Sequence, residues 1–333
     1  MYCQLDFLSK CLPGCVQYAL NELPETLDEI YGCTLREIND ANWEFARRLL
    51  LCVATVSRPL RVEELAEFLA FDFNVGPIPK FRKDWRLEDP LEAVLSTCST
   101  LLSLVNVGDS PVVQFSHFSV KEFLMSSCFA KKYDITSDRY HVSMTSVDTL
   151  VAQACLGILL HLDRHVTRDS LRRFPLAGYA SEHWFDHARV EGVSKNAEEG
   201  MKQLFDDSKP HLAIWLWIYD PTAFWEEDEQ AERPAPPRGT PLHYAAFCGL
   251  HDFVKILTIE RPQDVDSQSF SDEATPLHLA SEEGHVDVAR ILVEQGADIT
   301  ASLCTRTPPL GQAILRFWRP GTTLMSTYRP LRR

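Results

Sequence analysis

Gly239-Thr240-Pro241-Leu242-His243-Tyr244-Ala245-Ala246-Phe247-Cys248-Gly249 and Ala274-Thr275-Pro276-Leu277-His278-Leu279-Ala280-Ser281-Glu282-Glu283-Gly284 repeat one pattern, with Thr240 and Thr275 standing 35 positions apart. The match continues through Phe253-Val254-Lys255-Ile256-Leu257 and Val288-Ala289-Arg290-Ile291-Leu292, and the second copy runs on to Gly296-Ala297-Asp298-Ile299. Each matched residue has a mechanical role. A threonine hydroxyl can cap a helix N-terminus. Pro241 and Pro276 occupy the first helical position, where no amide donor is missed. Gly249 and Gly284 suit the left-handed conformation that ends a first helix. Leu257 and Leu292 close the apolar face of a second helix, which Gly296 ends. His243 and His278 are expected to bridge neighbouring turns by hydrogen bonds.

This pattern resembles the ankyrin repeat, whose period is about 33 residues, here with a small loop insertion. After Ile299 it decays. Thr307-Pro308-Pro309-Leu310 and Gln312-Ala313-Ile314 look like the start of a third unit, and Phe317-Trp318-Arg319-Pro320-Gly321 abandons it. The repeats are therefore assigned to residues 239–316, two clear and one partial. Residues 317–333 are assigned as a disordered tail, with 320–333 poorly ordered.

Working backwards, Glu226 to Glu232 is almost wholly acidic and Pro234-Ala235-Pro236-Pro237 follows, so 226–238 reads as a linker. Leu212 to Tyr219 is rich in tryptophan and aliphatics. Helical patterns are expected at Tyr140–Leu162, with Leu150, Ala154, Ile158 and Leu162 on one face, and at Ala177–Arg189 and Asn196–Phe205. These make a helical bridging domain over 136–225.

Residues 41–135 read as a winged-helix-like domain. Its helices run from Trp43 to Val56, stopped at Ser57-Arg58-Pro59, from Val62 to Ala70 with Leu65, Phe68 and Leu69 inward, and from Pro90 to Leu104. A loop over 72–89 separates the last two. Val112–Phe115 is β-like, and a further helix covers Val120–Phe129. Residues 1–40 hold a helical segment in which Leu27, Ile30, Tyr31, Leu35 and Ile38 recur at helical spacing. The fold class is thus mostly α: a winged-helix-like domain and helical bridge, then a short ankyrin solenoid.

Composition narrows the function. The chain carries a net charge of −14, which repels phosphate backbones unless a local basic patch intervenes, and the sequence shows none. The helix expected over Leu91–Leu104 holds no Arg or Lys, unlike a groove-reading helix. Nucleic acid is not an expected partner. The ten cysteines form no Cys-x-x-Cys pair and read as buried free thiols in a reducing compartment. The N-terminus lacks a secretory pattern, and the longest apolar runs fall far short of the ~20 residues a membrane span needs. A protein of the cytoplasm or nucleus is expected, with no membrane partner.

Taken together, the chain resembles the C-terminal part of fungal NACHT–ankyrin proteins, of the signal-transducing NTPases with numerous domains. Leu23-Pro24-Glu25-Thr26-Leu27-Asp28-Glu29-Ile30-Tyr31 is similar to the stretch after the NTPase core. Ser57-Arg58-Pro59-Leu60, Glu63-Glu64-Leu65 and Phe115-Ser116-His117-Phe118-Ser119-Val120-Lys121-Glu122-Phe123-Leu124 are similar to the following winged helix, of the GPI inositol-deacylase type. Ala152-Gln153-Ala154-Cys155-Leu156 and Tyr179-Ala180-Ser181-Glu182-His183-Trp184 are similar to the bridge that leads to ankyrin repeats. The family's ATP site needs Gly-x-x-x-x-Gly-Lys-Ser/Thr, and none of the 14 glycines is followed by lysine. The resemblance therefore does not carry the ATPase to this chain.

No two glycines lie within four positions, which removes nucleophile elbows and dinucleotide loops alike. No histidine precedes a glutamate. His161/His165 and His183/His187 have a spacing that can present two imidazoles to one metal from a helix, but no further ligand accompanies either pair. Cys155 and His161 are six apart, which does not align them on a helix. The aromatic cluster Trp215, Trp217, Tyr219, Phe224 and Trp225 is assigned to packing. No catalytic residue, cofactor or metal is expected. The expected function is a scaffold binding other proteins through its repeats, at Tyr244 and Phe247 of the first and Ser271, Asp272, Glu273, Leu279, Glu282 and Glu283 of the second. The acidic character of that set points to a basic or mixed partner surface. The alternative is the regulatory half of a NACHT-type signalling ATPase.

Overall fold

The computed structural model describes residues 26–98, 101–107, 110–126, 144–222, 232–269 and 273–301. The chain divides into two compact units, one ending at Leu204 and one beginning at Phe205.

The first unit starts with α1 (Leu27–Glu37), capped by Thr26, whose hydroxyl accepts from Glu29 N. Ile30, Tyr31 and Leu35 are buried, as the spacing predicts, and Leu27 is exposed. Then come α2 (Trp43–Thr55), β1 (Leu60–Arg61), α3 (Val62–Glu67) with a 3₁₀ turn over Phe68–Ala70, α4 (Pro90–Cys98), β4 (Leu102–Val107), β5 (Ser110–Phe115) and α5 (Phe118–Met125). Helix, short strand, two helices and a strand pair, with the short strand completing an antiparallel sheet of order β1-β5-β4, is the winged-helix arrangement. Leu60 pairs with Val113 and Arg61 with Val112. Leu65 and Phe68 point inward as expected, while Leu69 is half-buried.

Three local expectations differ from the fold. The helix read over Val120–Phe129 ends at Met125, where Ser126 turns extended. The helix read from Pro90 to Leu104 ends at Cys98, and Leu102–Leu104 belong to β4. Leu101 and Leu102 prolong the apolar helical spacing, but the β-branched Val105 and Val107 favour extended backbone, and pairing with β5 settles it. The segment read as a loop over 72–89 contains a small ribbon, β2 (Phe71–Asp72) with β3 (Lys80–Phe81), and a 3₁₀ turn at Lys83–Trp85. Phe71 and Phe81 hold that ribbon together, their rings 5.2 Å apart.

Behind this domain lie α6 (Met144–His161), α7 (Arg168–Leu171), α8 (Leu176–Ala188) and α9 (Ser194–Leu204). Val147, Val151, Ala154, Cys155, Ile158 and Leu159 of α6 are all buried. A helix apolar on more than one face belongs in a core, with neighbours on several sides. Gly157 permits one of these contacts: a Cβ there would sit 2.9 Å from Pro79 O and 3.0 Å from the Phe71 ring.

The second unit contains α10 (His211–Ile218), then α11 (Pro241–Phe247) with α12 (His251–Glu260), and α13 (Pro276–Glu283) with α14 (Val286–Glu294). Trp215 of α10 is fully buried and meets Phe205 (5.9 Å) and Tyr244 (6.3 Å) edge-on. Its packing role is as expected; Phe224 and Trp225 lie outside the described residues, as do Ser271 and Asp272, the partial third repeat over 302–316 and the tail.

Candidate functional site

The repeats are built by a local device used twice. Thr240 N–H donates to His243 Nδ1 at 3.0 Å, with the threonine hydroxyl 3.0 Å from the same nitrogen. In the second repeat Thr275 N–H donates to His278 Nδ1 at 3.2 Å and the hydroxyl lies at 2.8 Å. The histidine thus stands where a capping box has Glu or Gln, with Pro241 or Pro276 at the first helical position. Because Nδ1 accepts, Nε2 carries the proton, and in His243 it donates to Ala274 O at 3.0 Å. The expectation of a bridge between neighbouring turns is therefore enlarged: His243 caps its own helix and bridges to the next repeat.

A second link runs the other way and was not foreseen. His285 Nε2 donates to Phe247 O at 2.9 Å. Its ring lies against Gly249, where a Cβ would come within 2.7 Å. Gly249 (φ +70) and Gly284 (φ +77) both adopt the left-handed conformation their spacing predicts, and Gly296 has φ +92.

Three of the expected partner-contact residues are not on the surface. Tyr244 is 2% exposed, Phe247 8% and Leu279 8%. Tyr244 turns inward because its hydroxyl accepts from Arg238 N (3.1 Å) and Gly239 N (3.3 Å) and its ring meets Trp215. Burial, with the Asp220 charge, pushes its phenol up to about 12, although the two N–H donors pull the other way. Leu279 is one of the buried row Leu277, His278, Leu279 and Ala280. Glu273 is exposed and stands at φ 58, and Glu282 and Glu283 are half-buried. Among the described residues of the expected surface, these three acids are the ones the fold leaves reachable. Between α13 and α14 lies a cleft of about 330 Å³ lined by Leu277, Ala280, Val286, Ala289 and Val293, with Arg290 and Glu294 also on its wall.

The candidate metal pairs are placed otherwise. His187 sits between Asp148 Oδ1 (2.7 Å from Nδ1) and the Tyr179 hydroxyl (2.8 Å from Nε2), and that hydroxyl accepts from Ser57 N at 3.1 Å. His183 Nδ1 is 3.1 Å from Asp186 Oδ2. His161 is the last residue of α6, and His165 lies beyond it rather than on the same helix, so the expected helical pairing does not hold. The His161 ring packs against Phe81 (5.1 Å) and Phe174 (5.7 Å), and burial, with Lys83 and Arg86 nearby, lowers its pKa. Among the described residues no group of three or more His, Cys, Asp or Glu is arranged to hold a metal. Cys52, Cys155 and Cys248 are buried free thiols and Cys33 is half-buried. Among the described residues no helix is long and apolar enough to cross a membrane.

A larger cleft, about 580 Å³, opens in the first unit and is lined by Phe45, Leu69, Trp85, Arg86, Arg172 and Arg173 among others. Arg86 stacks on Phe81 (4.8 Å) and Phe174 (5.4 Å) while reaching Glu67 at 2.5 Å and donating to Arg173 O at 2.8 Å. Residues 85–87 and 172–173 meet only in the fold, so no local pattern announces this gathering of guanidinium groups.

Comparison with known proteins agrees with both halves. Residues 37–136 match the family described as GPI inositol-deacylase, winged helix domain, and residues 210–302 match ankyrin repeats (3 copies). The latter match takes in α10. The chain is similar to the azaphilone pigments biosynthesis cluster protein L of Monascus ruber, 28% identical over 298 residues that cover 84% of this chain and 61% of that protein. It is similar to the vegetative incompatibility protein HET-E-1 of Podospora anserina, 24% identical over 212 residues, 58% of this chain and 15% of that one. It also resembles alpha-latrocrustotoxin-Lt1a of Latrodectus tredecimguttatus, 39% identical over 61 residues, 18% of this chain and 4% of the toxin. The chain thus spans less than two thirds of each of these relatives. The winged helix followed by ankyrin repeats is the architecture expected of the C-terminal part of a NACHT–ankyrin protein.

Proposed function

We propose that the chain is an interaction protein that binds other proteins through its ankyrin repeats and has no catalytic activity of its own. The observation that carries this reading is the doubly linked pair of repeats, His243 to Ala274 O and His285 to Phe247 O, which ties the two units into one platform. On that platform Glu273, Glu282 and Glu283 offer an acidic contact set suited to a basic or mixed partner surface. Preorganisation lowers the entropy cost of binding, so a small contact set can serve. The test is a peptide array of lysine-rich helices probed with the full chain. Binding that weakens about tenfold in the Glu282→Gln/Glu283→Gln double variant and falls with added salt is the expected result. Undiminished binding by that variant removes these acids from the site.

A second reading has its own support. The winged-helix match and the similarity to HET-E-1 favour a regulatory half of a NACHT-type signalling ATPase, its nucleotide domain supplied by another polypeptide or encoded upstream. Translating the genomic DNA upstream of Met1 in search of a Gly-x-x-x-x-Gly-Lys-Ser/Thr loop decides between the two. ATP turnover by the purified chain alone would contradict both.

A further inference from the structure

Strand β4 (Leu102–Val107) lies at one edge of the three-stranded sheet. Its hydrogen-bonding parity can be fixed. Ser116 N–H donates to Leu101 O at 2.9 Å, which makes Leu101 and Ser116 a hydrogen-bonded pair. The register Leu102↔Phe115 through Val107↔Ser110 then alternates. Ser103/Gln114, Val105/Val112 and Val107/Ser110 exchange bonds, and Leu102, Leu104 and Asn106 turn their N–H and C=O groups off the sheet. Pro111 agrees with this assignment, since it faces Asn106, a position where β5 needs no donor toward β4.

Among the described residues no further strand pairs with this edge, and it is also apolar. Leu104 and Val105 are each 37% exposed and Val107 60%. Proteins ordinarily protect such an edge with lysine, proline or a bulge, or by keeping it very short. β4 has six residues and none of these devices.

We propose that this edge is a self-association site, at which β4 pairs antiparallel with β4 of a second copy. Leu104 would face Leu104 of the second copy, and Leu102 would face its Asn106, so the outward groups satisfy one another about a two-fold axis. Charge selects this occupant. The chain carries −14 overall, yet residues 101–107 and 110–116 contain no charged side chain. A charged peptide finds no counter-ion there, whereas two acidic copies can meet at this strand pair without opposing charges. An edge of this length spans about 20 Å and buries less than the ~1,200 Å² at the low end of stable interfaces. The association is therefore reversible and concentration-dependent.

The experiment is residue-resolved amide exchange on the full chain at low and high concentration, alongside sedimentation equilibrium. With rising concentration the Leu104 and Asn106 amides slow at least tenfold, while Val105 and Val107, already bonded to β5, stay unchanged. Leu104→Pro removes an outward donor without taking a bond from β5, and Val107→Lys places a charge on the strand; each raises the dissociation constant at least tenfold. A chain that stays monomeric at all concentrations overturns the proposal. So does association that both variants leave intact, or protection of Leu104 and Asn106 that does not vary with concentration.

Discussion

In the unit that ends at Leu204 the buried polar side chains include Arg48, Glu64, Glu67 and Asp148; in the unit that begins at Phe205 they are His243, Thr258, Thr275, His278 and Ser281. Among the described residues the first unit buries charge, and the second buries only hydroxyls and imidazoles. The charged groups tie segments together over separations from six residues to thirty-nine. Arg58 grips Glu64 with two bonds (2.8 and 3.0 Å), Arg48 donates to Phe71 O at 2.8 Å, and Asp148 orients His187 toward Tyr179 and hence Ser57. The repeats instead rely on a bond made within three residues and then copied, with one imidazole link in each direction. A copied local device suits a stack in which each unit touches only its neighbours. A one-off network suits a domain whose elements occur once.

The largest expected effect breaks the charged side of this comparison. Glu64, 1% exposed, would have its pKa raised by burial, but the Arg58 bonds, the Arg58 charge and Arg61 N–H hold it below the usual carboxylate value. Glu64→Ala leaves two arginines facing a void and should cost about 3–4 kcal/mol in the first unit. Chemical denaturation followed by amide exchange should show that loss without destabilising the repeats. With its folded pKa depressed, Glu64 stabilises above its unfolded value near 4.5 and loses that contribution as pH falls through the folded one.

Glu67, one turn on, has the opposite sign. Burial raises its pKa to about 7, and Arg86 offsets this only in part. The folded state then binds the extra proton between about 4.5 and 7. Stability present below 4.5 is lost as pH rises across that window, on the order of 3 kcal/mol. Glu67→Gln should flatten the slope in thermal melts of the full chain; an unchanged slope would show that another group produces it.

Within the repeats the effects are smaller and sharpen the contrast between equivalent positions. Gly249→Ala combines a left-handed backbone with the His285 ring at 2.7 Å, and should cost about 2–3 kcal/mol. His243→Ala removes a cap and the bond to Ala274 O, for about 1–2 kcal/mol. Gly284→Ala meets nothing within 4 Å and should cost only about 1 kcal/mol of backbone strain. Equal losses at Gly249 and Gly284 in urea titrations would mean that the His285 contact contributes nothing.

The repeats were legible because their signals are short-range. Thr240, Pro241 and Gly249 adopt their conformation within one helix, and His243 makes its capping bonds there, so residue type and spacing suffice. The winged helix was legible in its helices but not in its sheet. β1 is two residues long and pairs with residues about fifty positions later, and the end of α4 was misread because Leu101 and Leu102 fit helical spacing. The contact set was legible only in part: Glu273, Glu282 and Glu283 remain reachable, while Tyr244, Phe247 and Leu279 are buried.

The sequence by itself determined the helices, their caps, the left-handed glycines and the tandem order of a winged helix before ankyrin repeats, since those follow from propensity and local hydrogen bonding. Only the tertiary structure decided which apolar residues are covered and which acid holds its proton. It also decided where β4 leaves its hydrogen-bonding groups open. Burial and strand pairing depend on segments brought together across many residues, and no local pattern encodes what the neighbouring segment will be.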